Sequence, residues 1–499
     1  MIATLLAALL AVPLPKALQA LADGKRKDGT QILTADQRAA LDKLPAASQK
    51  LLGDAAENLM LGSSEQLAAL LSLELAPQAM EIVATDNCIL CHSDPKNQKA
   101  RSLFSPGGPH DLREFVSDVH FRRGLSCAGC HGGKPSDDMM TPAIAERWPK
   151  AEARKADRGW IPKFCARCHS DPSFMRGFNP TMPTDQLAKY KESRHGARLL
   201  EQHDSRAAQC VSCHGVHGIR GAKSRRSMVH PQRVPETCGS CHADPKHMAG
   251  YTTAAGAPFP TDQLARFKAG VHGKALLEKG DLGAPACNGC HGNHAAMPPA
   301  VASVAQVCRR CHAQNGALFD GSRHKKAFEA NKWPECGQCH GHHDIAKTGE
   351  AMLGQGAETQ CAQCHAEHAK GNEACSATAG HFRITLDALA AGSVEVAAQV
   401  EKLAEMGLDV EPLSQALGDL GESLVQSRSK IHAFDQAAFD QSANPGAQAL
   451  QKSRQLVVEA RKEFRFRRNG LIGAIAFLGL LAVGIALKLR QIERRRGGG

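Results

Sequence analysis

The chain has 499 residues, a formal net charge of +11, and only 4% aromatic side chains. So few aromatics leave little material for a conventional apolar core over this length. The basic balance taken alone would suit nucleic acid or acidic lipid, so its meaning depends on what the nineteen cysteines hold.

Residues 1–22, MIATLLAALLAVPLPKALQALA, read as a secretory signal peptide. The apolar run is short, Pro13 and Pro15 interrupt it, and Ala20-Leu21-Ala22 fits a small-residue cleavage site. An uncleaved anchor is the alternative, for which the run is short. Residues 23–87 read as a small helical segment. Thr34-Ala-Asp-Gln37 and Ser63-Ser-Glu-Gln66 both have the form of a capping box, each opening an apolar-periodic stretch.

Residues 88–368 are dominated by one pattern, Cys-x-x-Cys-His, which occurs nine times. The copies are Cys88, Cys91, His92; Cys127, Cys130, His131; Cys165, Cys168, His169; Cys210, Cys213, His214; and Cys238, Cys241, His242. They continue with Cys287, Cys290, His291; Cys308, Cys311, His312; Cys336, Cys339, His340; and Cys361, Cys364, His365. Only Cys375 stands outside them, where it is expected to be a free thiol or a minor structural residue. A zinc ribbon needs two Cys pairs per metal and gives no reason for a His directly after every second Cys. A thioredoxin-like dithiol is expected once, inside a βαβ unit. Haem c attachment uses all three residues: two thioethers fix the porphyrin edge, and the adjacent His stands over the iron. The expected cofactor is therefore nine covalently attached haems c. At this density the porphyrins replace the apolar core and the chain wraps them. Their propionates also cancel the basic charge, which removes the case for nucleic acid.

The region is internally duplicated. TDQLAKYKESRHGARLLE (184–201) and TDQLARFKAGVHGKALLE (261–278) agree at eleven of eighteen positions. A CHxDPxxMxG element precedes each and a C-x-x-CHGxH motif follows. The repetition picks out second iron ligands, so that most haems are expected to be bis-His. His195, His272 and His324 lie twelve to fifteen residues before the next motif, and His120 lies seven before. His217, His294, His343 and His368 each fall three residues after a motif histidine. So short a chain cannot pass round a porphyrin, so these four are expected to bind the iron of a neighbouring haem. His110 completes the set of nine, with His381 and His432 as rivals. His203, His230, His247 and His342 read as surface or propionate-binding side chains, and Met175 and Met248 as core packing.

Residues 369–469 change character. Leu413, Leu417, Leu420, Leu424, Ile431, Phe434 and Ala438 follow helical spacing after Pro412, and Leu450, Val457, Ala460 and Phe464 form a second stripe. The expectation is a helical hairpin or three-helix stalk. GLIGAIAFLGLLAVGIAL, from Gly470 to Leu487, is eighteen uncharged residues. As a helix it spans about 27 Å, close to the thickness of a bilayer core. The expected transmembrane helix is 470–489, and 490–499 form a basic tail. Arginines flank both ends, so the leader sets the expected orientation: haem domain in the periplasm, tail in the cytoplasm of a bacterial inner membrane.

The fold expected from the residues is mainly α with much irregular structure: short helices wrapping stacked haems, a helical C-terminal stalk and one transmembrane helix. The run His195-Gly196, Leu199-Leu200, Cys-x-x-Cys-His-Gly-x-His, with CHxDP before it, resembles the multihaem cytochromes c of the doubled, class III-like type. That group includes membrane-anchored quinol dehydrogenases and octahaem oxidoreductases, and the resemblance covers roughly 88–368. It implies closely stacked haems forming an electron wire, with other redox proteins and a quinol-oxidising membrane subunit as candidate partners. The quinol dehydrogenases usually anchor at the N-terminus and carry four or five haems. The alternative function is a multihaem oxidoreductase acting on a small nitrogen or sulfur compound. The resemblance gives that class two signatures, a motif His replaced by Lys or a Tyr cross-linked to the catalytic haem. All nine motifs here end in His and only Tyr190 and Tyr251 are present, so electron relay is the expected function and no catalytic residue is assigned.

Overall fold

The computed structural model describes residues 15–25, 28–42, 49–50, 52–53, 88, 118–133, 159–253, 256–298, 304–354, 356, 358–365 and 373–496. Helix dominates and no β-strand occurs among the described residues. The chain divides into two units, Met1–Pro298 and Pro299–Gly499.

In the first unit, Lys16–Ala22 is helical, with Leu18 and Ala22 buried; the rest of the expected leader, 1–14, lies outside the described residues. The capping box before Ala35–Asp42 forms as its residues predict. Gln37 Oε1 accepts from the Thr34 amide at 2.9 Å, and Thr34 Oγ1 accepts from the Gln37 amide at 3.2 Å. Its counterpart at Ser63–Gln66 lies outside the described residues.

Two kinds of cysteine motif can be told apart by how their helices begin and end. Cys127–His131, Cys210–His214 and Cys287–His291 are single five-residue turns, each followed by a glycine. Gly132, Gly215 and Gly292 have φ of 83°, 78° and 78°, a left-handed conformation that stops the helix directly after the histidine. Cys336–His340 in the second unit ends the same way, on Gly341 at φ 73°. The other kind closes a longer helix: Trp160–His169 and Val234–His242. There the CHxDP sequence starts a new helix. Asp171 caps Pro172–Arg176 by accepting from the Ser173 and Phe174 amides, and Asp244 caps Pro245–Met248 by accepting from the Lys246 amide. Proline at the first helical position completes both caps. Met175 and Met248, on these turns, are buried.

The duplicated segments fold alike, as Gln186–Glu192 with Arg194–Leu200 and as Gln263–Ala269 with Val271–Leu277. The His-Gly pair at each junction has a steric cause. A Cβ on Gly196 would lie 1.9 Å from the Tyr190 carbonyl oxygen, and one on Gly273 2.0 Å from that of Phe267. Only glycine lets the second helix start against the end of the first, and that start sets the position of His195 or His272.

The second unit ends in three long helices, Glu373–Glu405, Glu411–Lys430 and Gln436–Arg496. The stalk is thus a three-helix bundle. Phe382, Leu386, Leu389, Leu413, Leu420, Leu424, Phe439 and Leu450 form its buried centre, with Leu417, Ile431, Val457, Ala460 and Phe464 packed against it. The last helix then leaves the bundle. Leu471, Ile475, Phe477, Leu481 and Ile485 are each at least half exposed, an apolar surface that protein does not cover. This one helix of 61 residues is long and apolar enough to cross a membrane.

Candidate haem-binding sites

In each described five-residue motif helix, the two cysteines and the histidine sit at positions i, i+3 and i+4. One helix face therefore carries both sulfurs and the imidazole. Cys91, His92, His110 and His368 lie outside the described residues, and Cys88 is half-buried.

The decisive geometry is in how the histidines meet. In the first unit the rings of His120 and His169 have centres 5.9 Å apart, His131 and His217 6.1 Å, His195 and His242 6.0 Å, and His214 and His294 6.1 Å. In the second unit His324 and His365 stand 6.0 Å apart, and His340 and His432 6.1 Å. Each of the six pairs joins one motif histidine to one histidine outside the motifs. Other ring contacts among the described residues range from 3.8 Å for His324 and Phe434 to 6.5 Å for His381 and Phe382. An iron bound by two imidazoles holds each nitrogen at about 2.0 Å, and each ring centre lies about 1.1 Å behind it, so ring centres across one iron are roughly 6.2 Å apart. The observed separations match that span. The donors thus come as close pairs. Among the described residues no three His, Cys, Asp or Glu side chains gather as a metal cage, the arrangement a zinc site requires. Haem needs only the two axial donors that each pair supplies.

The pairs sort into two classes that follow the two kinds of motif. Histidines from the glycine-terminated motifs, His131, His214 and His340, face rings inclined by 27°, 18° and 29°. Histidines of motifs that no glycine follows, His169 and His242 from the longer helices and His365 from the four-residue turn Ala362–His365, face rings inclined by 83°, 56° and 83°.

Electrostatics suits metal binding. Burial pushes His169, His214, His242, His294, His324 and His340 below the usual histidine range. His195 is pushed down to about 4 by burial, with His242 opposite adding to it. These imidazoles are neutral at pH 7, the form that ligates a metal.

The thiols bring motifs together as well. Cys165 and Cys210 lie close enough for each to shift the other's thiol, as do Cys238 and Cys287, and Cys308 acts likewise on Cys336. Each couple joins the first cysteines of two different motifs, so groups attached there are neighbours along one edge. Cys375 is exposed on the first stalk helix; Cys361 is pushed up chiefly by burial, with Cys375 adding a smaller push.

His217 and His294, the histidines three residues after a motif, do face another motif rather than their own. His120, His195 and His324 are likewise each opposite a motif histidine. His272 lies on Val271–Leu277, and His343 follows the Cys336–His340 turn. Of the two stalk rivals, His381 is a packing residue. Its Nε2 bonds Asp440 Oδ1 at 2.6 Å and its ring touches Phe382 and Phe439. The other rival, His432, comes from the stalk and belongs to no repeat, and its ring lies 6.1 Å from that of His340. Its Nδ1 bonds the Ser429 carbonyl at 2.9 Å, which leaves Nε2 for the His340 side. With His432 added, ten second-ligand candidates stand beside nine motifs. Comparison of the chain with protein-family models, with curated proteins and with solved structures finds no match.

Proposed function

We propose that the chain is a membrane-anchored nonahaem cytochrome c that relays electrons between quinol-linked donors in a bacterial inner membrane and redox partners in or beyond the periplasm. The observation that carries this reading is the set of six close histidine pairs, each with one motif member, at the span of one iron. Haem, when bound, supplies a one-electron couple. The chain's own groups do the rest. The motif cysteines would fix each porphyrin edge, and the paired histidines would hold the iron from both sides, which favours electron transfer over binding of a substrate at iron. His217 and His294 bridge successive motifs, so that neighbouring sites are held rigidly with little rearrangement when charge moves. The neighbouring thiols place sites edge to edge. The apolar helix beyond Phe464 is the anchor, and the haem domain lies on the periplasmic side with the arginine-rich tail in the cytoplasm.

The test is a chain ended before Gly470. It is expected to be recovered in solution, and reductive titration should take up about nine electrons per chain, one for each motif. An uptake of two or fewer contradicts the relay, and a truncated chain that stays with the membrane fraction contradicts the single anchor.

A further inference from the structure

The six pairs differ in what supports the ligand from behind. Asp118 is 4% exposed and packs directly against His120. Its Oδ1 accepts from the His120 amide at 2.8 Å and bonds His120 Nδ1 at 2.9 Å. Its Oδ2 accepts from the Ile219 amide at 2.7 Å, and the Val119 amide donates to the Ile219 carbonyl at 2.8 Å. The carboxylate is therefore held from three sides in a buried setting. His120 Nδ1 is committed to it, so the Nε2 of His120 is the nitrogen directed at His169.

The opposite arrangement occurs at His324. Its Nδ1 is buried and has no hydrogen-bond partner among the described residues. Both His120 and His324 meet their motif histidines with planes crossed at 83°. The two sites therefore share ligand type and ligand-plane angle and differ in the group behind the second ligand.

We propose that Asp118 is a positioning and tuning residue for the iron held between His120 and His169, giving that iron a lower reduction potential than the iron between His324 and His365. The inference rests on the haem reading above. A buried carboxylate on Nδ1 makes the imidazole a stronger donor, and a stronger donor favours ferric over ferrous iron. An imidazole with no acceptor behind it is the weaker donor. Through Ile219 the same carboxylate ties the His120 segment to the strip of chain carrying His217, so it aligns ligands of two sites while tuning one.

The experiment is a redox titration of the full-length protein and Asp118→Asn, followed by electron paramagnetic resonance and accompanied by a haem count. Crossed imidazole planes leave two iron d orbitals nearly degenerate, so this iron belongs to the strongly anisotropic low-spin class and can be followed apart from the near-parallel sites. In Asp118→Asn the count is unchanged, the signal stays low-spin, and one anisotropic iron becomes at least tenfold easier to reduce, about 59 mV for a one-electron couple. Asp118→Ser, which leaves room for water at Nδ1, should shift the same iron in the same direction. Together the two variants keep the test readable if one of them matures poorly. Unchanged midpoints in variants with a full haem count overturn the inference. A shift spread over several irons also overturns it, since that is the mark of a merely structural residue. Absence of haem from the wild-type protein overturns the cytochrome reading instead.

Discussion

His294→Ala is expected to leave every haem attached and to convert one of the nine to a five-coordinate, high-spin, CO-binding form. His294 faces His214 across 6.1 Å with planes inclined by 18°, so the affected iron is the one attached through Cys210 and Cys213. Attachment depends on the motif cysteines and survives, because His294 lies three residues beyond its own motif. His294→Met should keep six-coordination and raise that iron's potential, as Met/His ligation does in cytochromes c. A His294→Ala protein that stays wholly low-spin and binds no CO contradicts the pairing.

His432→Ala is expected to have the same spectroscopic effect at a different iron, the one attached through Cys336 and Cys339. On the proposed reading the stalk would be part of a haem site as well as an anchor. His381→Ala is the matched control, also in the stalk. It should leave all irons low-spin and cost stability in thermal unfolding, about 0.5–1.5 kcal/mol for the hydrogen bond to Asp440 together with the ring contacts to Phe382 and Phe439. If His381→Ala opens an iron and His432→Ala does not, the assignment of the two histidines is reversed.

How much of this could be read from the residues depends on the range over which each signal acts. The capping box at Thr34 and the stalk stripe are local patterns and were legible, while the CHxDP elements were legible as repeats and not as caps. The transmembrane candidate was legible for the same reason, since length and hydropathy suffice. Ligand pairing is not local. His195 meets His242, and His120 meets His169, through packing of separate helices, so the sequence could nominate the histidines but not say which faced which. His432 was the extreme case. It lies far along the chain from His340 and has no repeated counterpart, and only the turn at Ile431–Ala433, closing the second stalk helix, brings it round. Asp118 gave no signal at all, because one buried carboxylate beside a histidine is not a pattern until the loop carrying it is seen against Ile219.

The most direct measurement of the central claim is a pyridine haemochrome count on purified full-length protein, with metal analysis of the same sample. The account predicts about nine haems c per chain, one for each Cys-x-x-Cys-His motif, with iron in the same ratio and no zinc. Zinc in place of iron, or fewer than seven haems in a fully matured preparation, contradicts it.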